Sequence, residues 1–163
     1  MAAGHQDDMR GLSPTLEVEW EKLKQKLPEG INHIVPAQVQ AFLEDTNTPL
    51  VIIDVRTPEG VCTCLTIMPT MYTTAEREVS RIPGPVVTKE EFEASGDTYK
   101  GHRVVCYCTA GFRSGKYAAE LSKGGYDVYN LKGSVLAWVC LCHSYFTQLG
   151  PHASLRQRRG YLL

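Results

Sequence analysis

Three strand-like runs, Leu50–Val55, Val104–Cys108 and Tyr126–Leu131, constrain this chain more than any other feature. The first, Leu50-Val51-Ile52-Ile53-Asp54-Val55, is apolar at successive positions rather than alternate ones. A strand covered on both faces of a parallel sheet has that pattern. Helix-like segments separate and follow the runs. Val35–Leu43 turns Val39, Phe42 and Leu43 to one side. Thr88 and Glu91 have the spacing of a capping box and open a short helix at Lys89. Ser114–Lys123 presents Tyr117, Ala118 and Leu121 on one face before Gly124-Gly125 ends it, and Val135–Val139 starts a closing helix. Strands and helices alternating at this spacing predict βα units and an α/β fold with a parallel sheet.

The rest of the chain divides around that pattern. With 163 residues, one domain with its own core is expected. Residues 1–12 are polar and predicted to be disordered. Ser13-Pro14 reads as an N-cap followed by proline at the first helical position. Leu16, Trp20, Leu23 and Leu27 then mark one face of an amphipathic flanking helix within 13–30, closed by Pro28 and Gly30. The main domain is expected over 31–145. Its pattern lapses between residues 60 and 80, where only Val61–Met68 has strand-like composition. Residues 146–163, with Arg156, Arg158 and Arg159, form a C-terminal tail.

A net charge of −1 offers no electrostatic case for nucleic acid or acidic membranes as partners. No apolar stretch reaches the roughly 18–20 residues needed to span a bilayer. The N-terminus lacks the basic and apolar regions of a secretory signal, so a cytoplasmic location is expected. The six cysteines fall into three pairs, Cys62/Cys64, Cys106/Cys108 and Cys140/Cys142. Free thiols are expected in a reducing compartment, and without Cys-x2-Cys spacing no metal site is expected.

Chemistry concentrates where the second run ends. Val104-Val105-Cys106-Tyr107 leads to Cys108, and Thr109-Ala110-Gly111-Phe112-Arg113-Ser114 carries the chain into a helix. A thiol at such a junction faces loop amides and a helix N-terminus, both of which favour the thiolate. Gly111 lets the backbone curl so that several N–H groups point inward. Ser114 is placed to cap the helix and donate its hydroxyl. Between Lys100 and Lys123 the positive residues Lys100, Arg103, Arg113, Lys116 and Lys123 face Glu120 alone, a local net charge of +4. Cys108 is therefore the expected nucleophile. Cys106 is expected to point to the opposite face of the strand, into the core, and His102 to lie on the surface away from Cys108. Asp54 and Arg56, at the end of the first run, are expected to fix its exit loop by pairing.

These residues resemble the single-domain rhodanese family of sulfurtransferases. Asp54-Val55-Arg56, Ile82-Pro83-Gly84, the Val105–Ser114 loop and Leu131-Lys132-Gly133-Ser134-Val135-Leu136-Ala137-Trp138 match its landmarks in order, from about Ile34 to Trp138. The resemblance implies a central parallel sheet of about five strands flanked by helices on both faces. It also implies a Cys108 persulfide formed from thiosulfate or a persulfide donor and discharged to cyanide or a thiol acceptor, a protein thiol among them. Backbone amides of the loop would cradle that persulfide, Arg113 would supply charge, and no cofactor or metal would be required. Related phosphatases and arsenate reductases use Cys-x5-Arg. Cys108 to Arg113 is Cys-x4-Arg, and Cys106 to Arg113 is Cys-x6-Arg, so loop length favours sulfur transfer over phosphate hydrolysis. A rhodanese-like module that binds a partner without catalysis is the other alternative.

The chain departs from the family in two places. Ser80-Arg81 stands where Gly-His is usual. About fifteen extra residues near 60–77 separate the first two landmarks, expected as an inert loop because surface insertions cost little. Cys62, Cys64 and Cys106 stay open as possible members of a sulfur relay.

Overall fold

The computed structural model describes residues 12, 14–56 and 81–139. The strand composition of Val61–Met68, the insertion near 60–77 and the tail from 146 lie outside the described residues, as do residues 1–11. In chain order the elements are α1 (Pro14–Lys24), β1 (Asn32–Ile34), α2 (Pro36–Glu44), β2 (Leu50–Asp54), β3 (Val86–Thr88), α3 (Lys89–Ala94), β4 (Arg103–Tyr107), α4 (Phe112–Lys123) and β5 (Asp127–Leu131). A helical segment at 134–139, α5, follows. One sheet holds all five strands in the order β1-β5-β4-β2-β3. Every neighbouring pair runs parallel.

The apolar runs lie where two-sided burial requires them. On β2 and β4, Ile52, Val105 and Tyr107 face one layer, packed with Val39 of α2 and with Val135 and Trp138 of α5. Val51, Ile53, Val104 and Cys106 face the other, beneath Phe92 of α3 and Tyr117 and Ala118 of α4. Helices therefore flank the sheet on both faces, and β4 lies at its centre. Its C-terminal end opens onto the Cys108 loop.

Local chemistry sets several boundaries. The Glu91 N–H donates to Thr88 Oγ1 at 3.2 Å, and the Thr88 N–H donates to Glu91 Oε2 at 2.7 Å, the reciprocal pair that starts α3. Some boundaries depart from expectation. α1 ends at Lys24, and turn bonds from Lys26 and Leu27 back to Leu23 and Lys24 replace its last helical turn. α4 starts at Phe112, two residues before Ser114, so Gly111 and not Ser114 occupies the N-cap. β1 spans three residues, too few to show any periodicity of its own.

Candidate active site

Cys108 follows the last residue of β4 and is 2 % exposed. The chain turns at Gly111, whose φ of 106° is open to glycine and strained for other residues. A Cβ there would also lie 2.7 Å from Trp20 Cζ3 and 3.3 Å from the Leu131 carbonyl oxygen. This curl aims the Gly111 N–H at Cys108 Sγ, 3.2 Å away. Ser114, in the first turn of α4, places its hydroxyl oxygen 3.4 Å from the same sulfur.

Electrostatics at the sulfur favour the anion. Burial pushes the Cys108 thiol up, as it does any group that would carry charge. The Ser114 hydroxyl and the amides of Ser114, Gly111 and Ala110 more than offset it, and the thiol is held below its ordinary value. Cys106 is the contrast. Burial pushes its thiol far up, and the nearby Cys108 adds to the effect. Both are free thiols. Among the described residues no cluster of His, Cys, Asp or Glu could hold a metal ion.

Cys106 lies in the core, but the reason differs from the one expected. Residues two apart on a strand share a face, and Cys106 packs on the Val104 side beneath α4. What separates the two thiols is that β4 ends at Tyr107, so Cys108 leaves the sheet for the loop.

The positive stretch also resolves differently in space. Lys100 pairs with Asp97 at 2.7 Å, and Arg103 pairs with Asp45 at 3.4 Å, both before or at the start of β4. Lys116 sits over the Phe112 ring. Arg113 is exposed on the first turn of α4. Hydrogen bonds, rather than a cluster of cations, lower the Cys108 thiol. Thr109, Ala110 and Phe112 are half-buried along the loop. His102 is half-buried just before β4, its ring edge-on to Tyr99, at the end of the strand opposite Cys108.

Asp54 and Arg56 form a buried pair beside the loop. Arg56 Nε donates to Asp54 Oδ1 at 2.8 Å and Nη2 to Oδ2 at 2.6 Å, while the Arg56 amide also donates to Oδ1. The Tyr107 hydroxyl donates to Asp54 Oδ2 at 2.8 Å, across the register that pairs Asp54 with Tyr107. This tie joins the end of β2 to the residue just before Cys108.

Three contributors were not singled out from the sequence. Asn130, fully buried on β5, accepts from Ser114 Oγ at 2.7 Å and donates through Nδ2 to the Gly111 carbonyl at 3.1 Å. His33 Nδ1 lies 3.4 Å behind that amide, and Trp20 meets His33 edge-on. The third, Ser134, accepts the Cys108 N–H at 3.0 Å. One signal was present for Asn130: a polar side chain inside a strand buried on both faces must find partners.

A family model described as Rhodanese-like domain matches residues 35–140. Among solved structures, a rhodanese-like domain protein from Staphylococcus aureus aligns at 19% identity over 66% of this chain and 91% of its own, with a TM-score of 0.44. The reduced CoADR-RHD of Bacillus anthracis aligns at 15% identity and a TM-score of 0.45, over 70% of this chain and only 17% of its own. The BH2092 protein of Bacillus halodurans aligns at 17% identity and a TM-score of 0.43, over 76% of this chain and 78% of its own. No curated protein matches the chain. Because the family model spans most of the chain and takes in β2, β4 and the whole cysteine loop, the chain belongs to the rhodanese-like domain family.

Proposed function

We propose that this chain is a sulfurtransferase that carries sulfane sulfur as a persulfide on Cys108. The observation that carries the reading is the environment of that sulfur: a buried thiol lowered by inward-facing amides and the Ser114 hydroxyl. A thiol lowered in this way gives up its proton more easily than an ordinary cysteine and is the better placed nucleophile.

The Cys108 thiolate attacks the outer sulfur of thiosulfate. A sulfur–sulfur bond to Cys108 forms, the bond within thiosulfate breaks, and sulfite leaves with the electron pair. The amides of residues 109–113 then face the terminal sulfur, which carries the negative charge. A cyanide or thiol acceptor attacks that sulfur and returns Cys108 as a thiolate. Arg113, exposed at the end of the loop, draws in the anionic donor. Asp54 and Arg56 support the loop through Tyr107. Donor and acceptor are small molecules or a protein thiol, and the step needs no metal.

Incubation with thiosulfate and cyanide, with thiocyanate followed over time, tests this directly. Intact mass after thiosulfate alone should rise by about 32 Da, one sulfur atom, in wild type and not in Cys108→Ser. Turnover lost in Cys106→Ser but kept in Cys108→Ser would move the nucleophile. Hydrolysis of an aryl phosphate without sulfur transfer would favour phosphatase chemistry instead.

A further inference from the structure

Ser134 is the one described residue other than glycine with a positive φ, 51°. It is also fully buried. With Gly133 at 64° beside it, two successive left-handed residues turn the chain from β5 into α5. A side chain at such an angle is strained, because its Cβ crowds the following carbonyl. Glycine would fill the same turn without that strain. A buried serine in its place therefore points to a use for the hydroxyl.

The surroundings of that hydroxyl say what the use is. Its oxygen accepts the Cys108 N–H at 3.0 Å. The next amide, Val135, donates to the Cys108 carbonyl at 3.3 Å, and Leu136 donates to the Thr109 carbonyl at 3.3 Å. The start of α5 thus holds both backbone groups of Cys108, and Ser134 holds the donor. Its own proton has three acceptors within reach, none closer than 3.4 Å: the Leu131 carbonyl at 3.4 Å, Ser114 Oγ at 3.5 Å and Cys108 Sγ at 4.0 Å. The Ser114 hydroxyl, nearer the sulfur at 3.4 Å, also reaches Asn130 Oδ1 at 2.7 Å and divides its one proton between the two. The Ser134 hydroxyl thus has no short acceptor that competes with the sulfur.

We propose that Ser134 is a positioning residue of the Cys108 site, held in a left-handed conformation so that its hydroxyl anchors the Cys108 amide and turns its proton toward charge on the sulfur. The proposal rests on Cys108 being the reacting thiol. It acts through the amide that orients Cys108 and through its own hydroxyl, 4.0 Å from the sulfur.

Two substitutions separate this role from turn geometry. Ser134→Gly removes the hydroxyl and the strain, whereas Ser134→Ala removes the hydroxyl and keeps the strain. Alkylation of Cys108 by iodoacetamide is followed across pH on the Cys108 peptide by mass spectrometry, in the full chain. Both variants should react about two- to tenfold more slowly than wild type at neutral pH, the worth of one modest hydrogen bond. Both should show an alkylation midpoint moved to higher pH. Thermal melting should nevertheless place Ser134→Gly about 2–6 °C above Ser134→Ala, since only alanine keeps the strain. Where alkylation is slow, the ultraviolet absorbance of the thiolate, taken as the difference from Cys108→Ser, reads the same midpoint. Wild-type pH profiles in both variants would overturn the proposal and leave Ser134 a turn residue. Absence of sulfur transfer by wild type, with the pH profiles shifted as expected, would overturn the sulfurtransferase reading alone.

Discussion

The Gly111 amide stands 3.2 Å from the Cys108 sulfur and donates to it. That bond acts with the Ser114 hydroxyl and the Ser114 and Ala110 amides against burial, and together they win. Cys108 should therefore alkylate with a midpoint below that of an ordinary cysteine. Ser114→Ala removes the largest of the lowering contributions, so its midpoint should move up and its rate at neutral pH fall about two- to tenfold. The sign for stability follows from the same shift. A thiol lowered in the folded state stabilises the fold fully above its unfolded value, and that contribution is lost as pH falls through the folded value. Denaturation midpoints of wild type and Cys108→Ala should diverge across that window. A difference independent of pH would show that the thiolate contributes nothing to stability.

Gly111→Ala places a Cβ 2.7 Å from Trp20 Cζ3 at a φ of 106°. Clash and strain together should cost about 1–3 kcal/mol and lower the melting temperature by several degrees. Combining it with Trp20→Leu should recover part of the loss, because the ring contact is relieved while the backbone strain remains. Equal stability of single and double variants would mean that Trp20 does not press on the loop.

Asp54→Ala should be the more damaging change. It removes the acceptor of two guanidinium bonds and of the Tyr107 hydroxyl, all in a buried setting. Breaking one side of a buried pair costs about 3–5 kcal/mol. Tyr107→Phe, which deletes one donor and keeps the pair, should cost only about 1 kcal/mol. Urea denaturation measures both, and comparable losses would place the stabilisation in the tyrosine bond rather than in the ion pair.

Much of the fold is legible in the sequence because its determinants are local. β2 and β4 reveal themselves as unbroken apolar runs, since helices cover both their faces. α3 is marked by Thr88 and Glu91, three residues apart and bonded to each other. β1 leaves no such trace, being three residues paired to β5 from across the chain. The loop reads well for the same local reason: Cys108, Gly111 and Ser114 meet within one turn of backbone.

Charge reads poorly from a window of sequence. The stretch from Lys100 to Lys123 looks basic, yet Arg103 is paired with Asp45, 58 positions away, and Lys100 with Asp97, just outside the window. Partners for a charge are chosen in space, and only the folded chain shows which ones are left to act on the sulfur.

The sequence by itself determined the alternation of strands and helices, the placement of Cys108 at the end of β4 and the six-residue loop that follows. Periodicity, capping and loop length are properties of neighbours along the chain. The tertiary structure alone decided what surrounds the sulfur from outside that loop. Parallel pairing of β5 beside β4 brings Asn130 to Ser114 and Ser134 to Cys108, contacts 16 and 26 positions apart. Packing of α1 sets Trp20 against Gly111. No local period fixes these contacts, because each arises from sheet order and helix packing and not from local backbone preference.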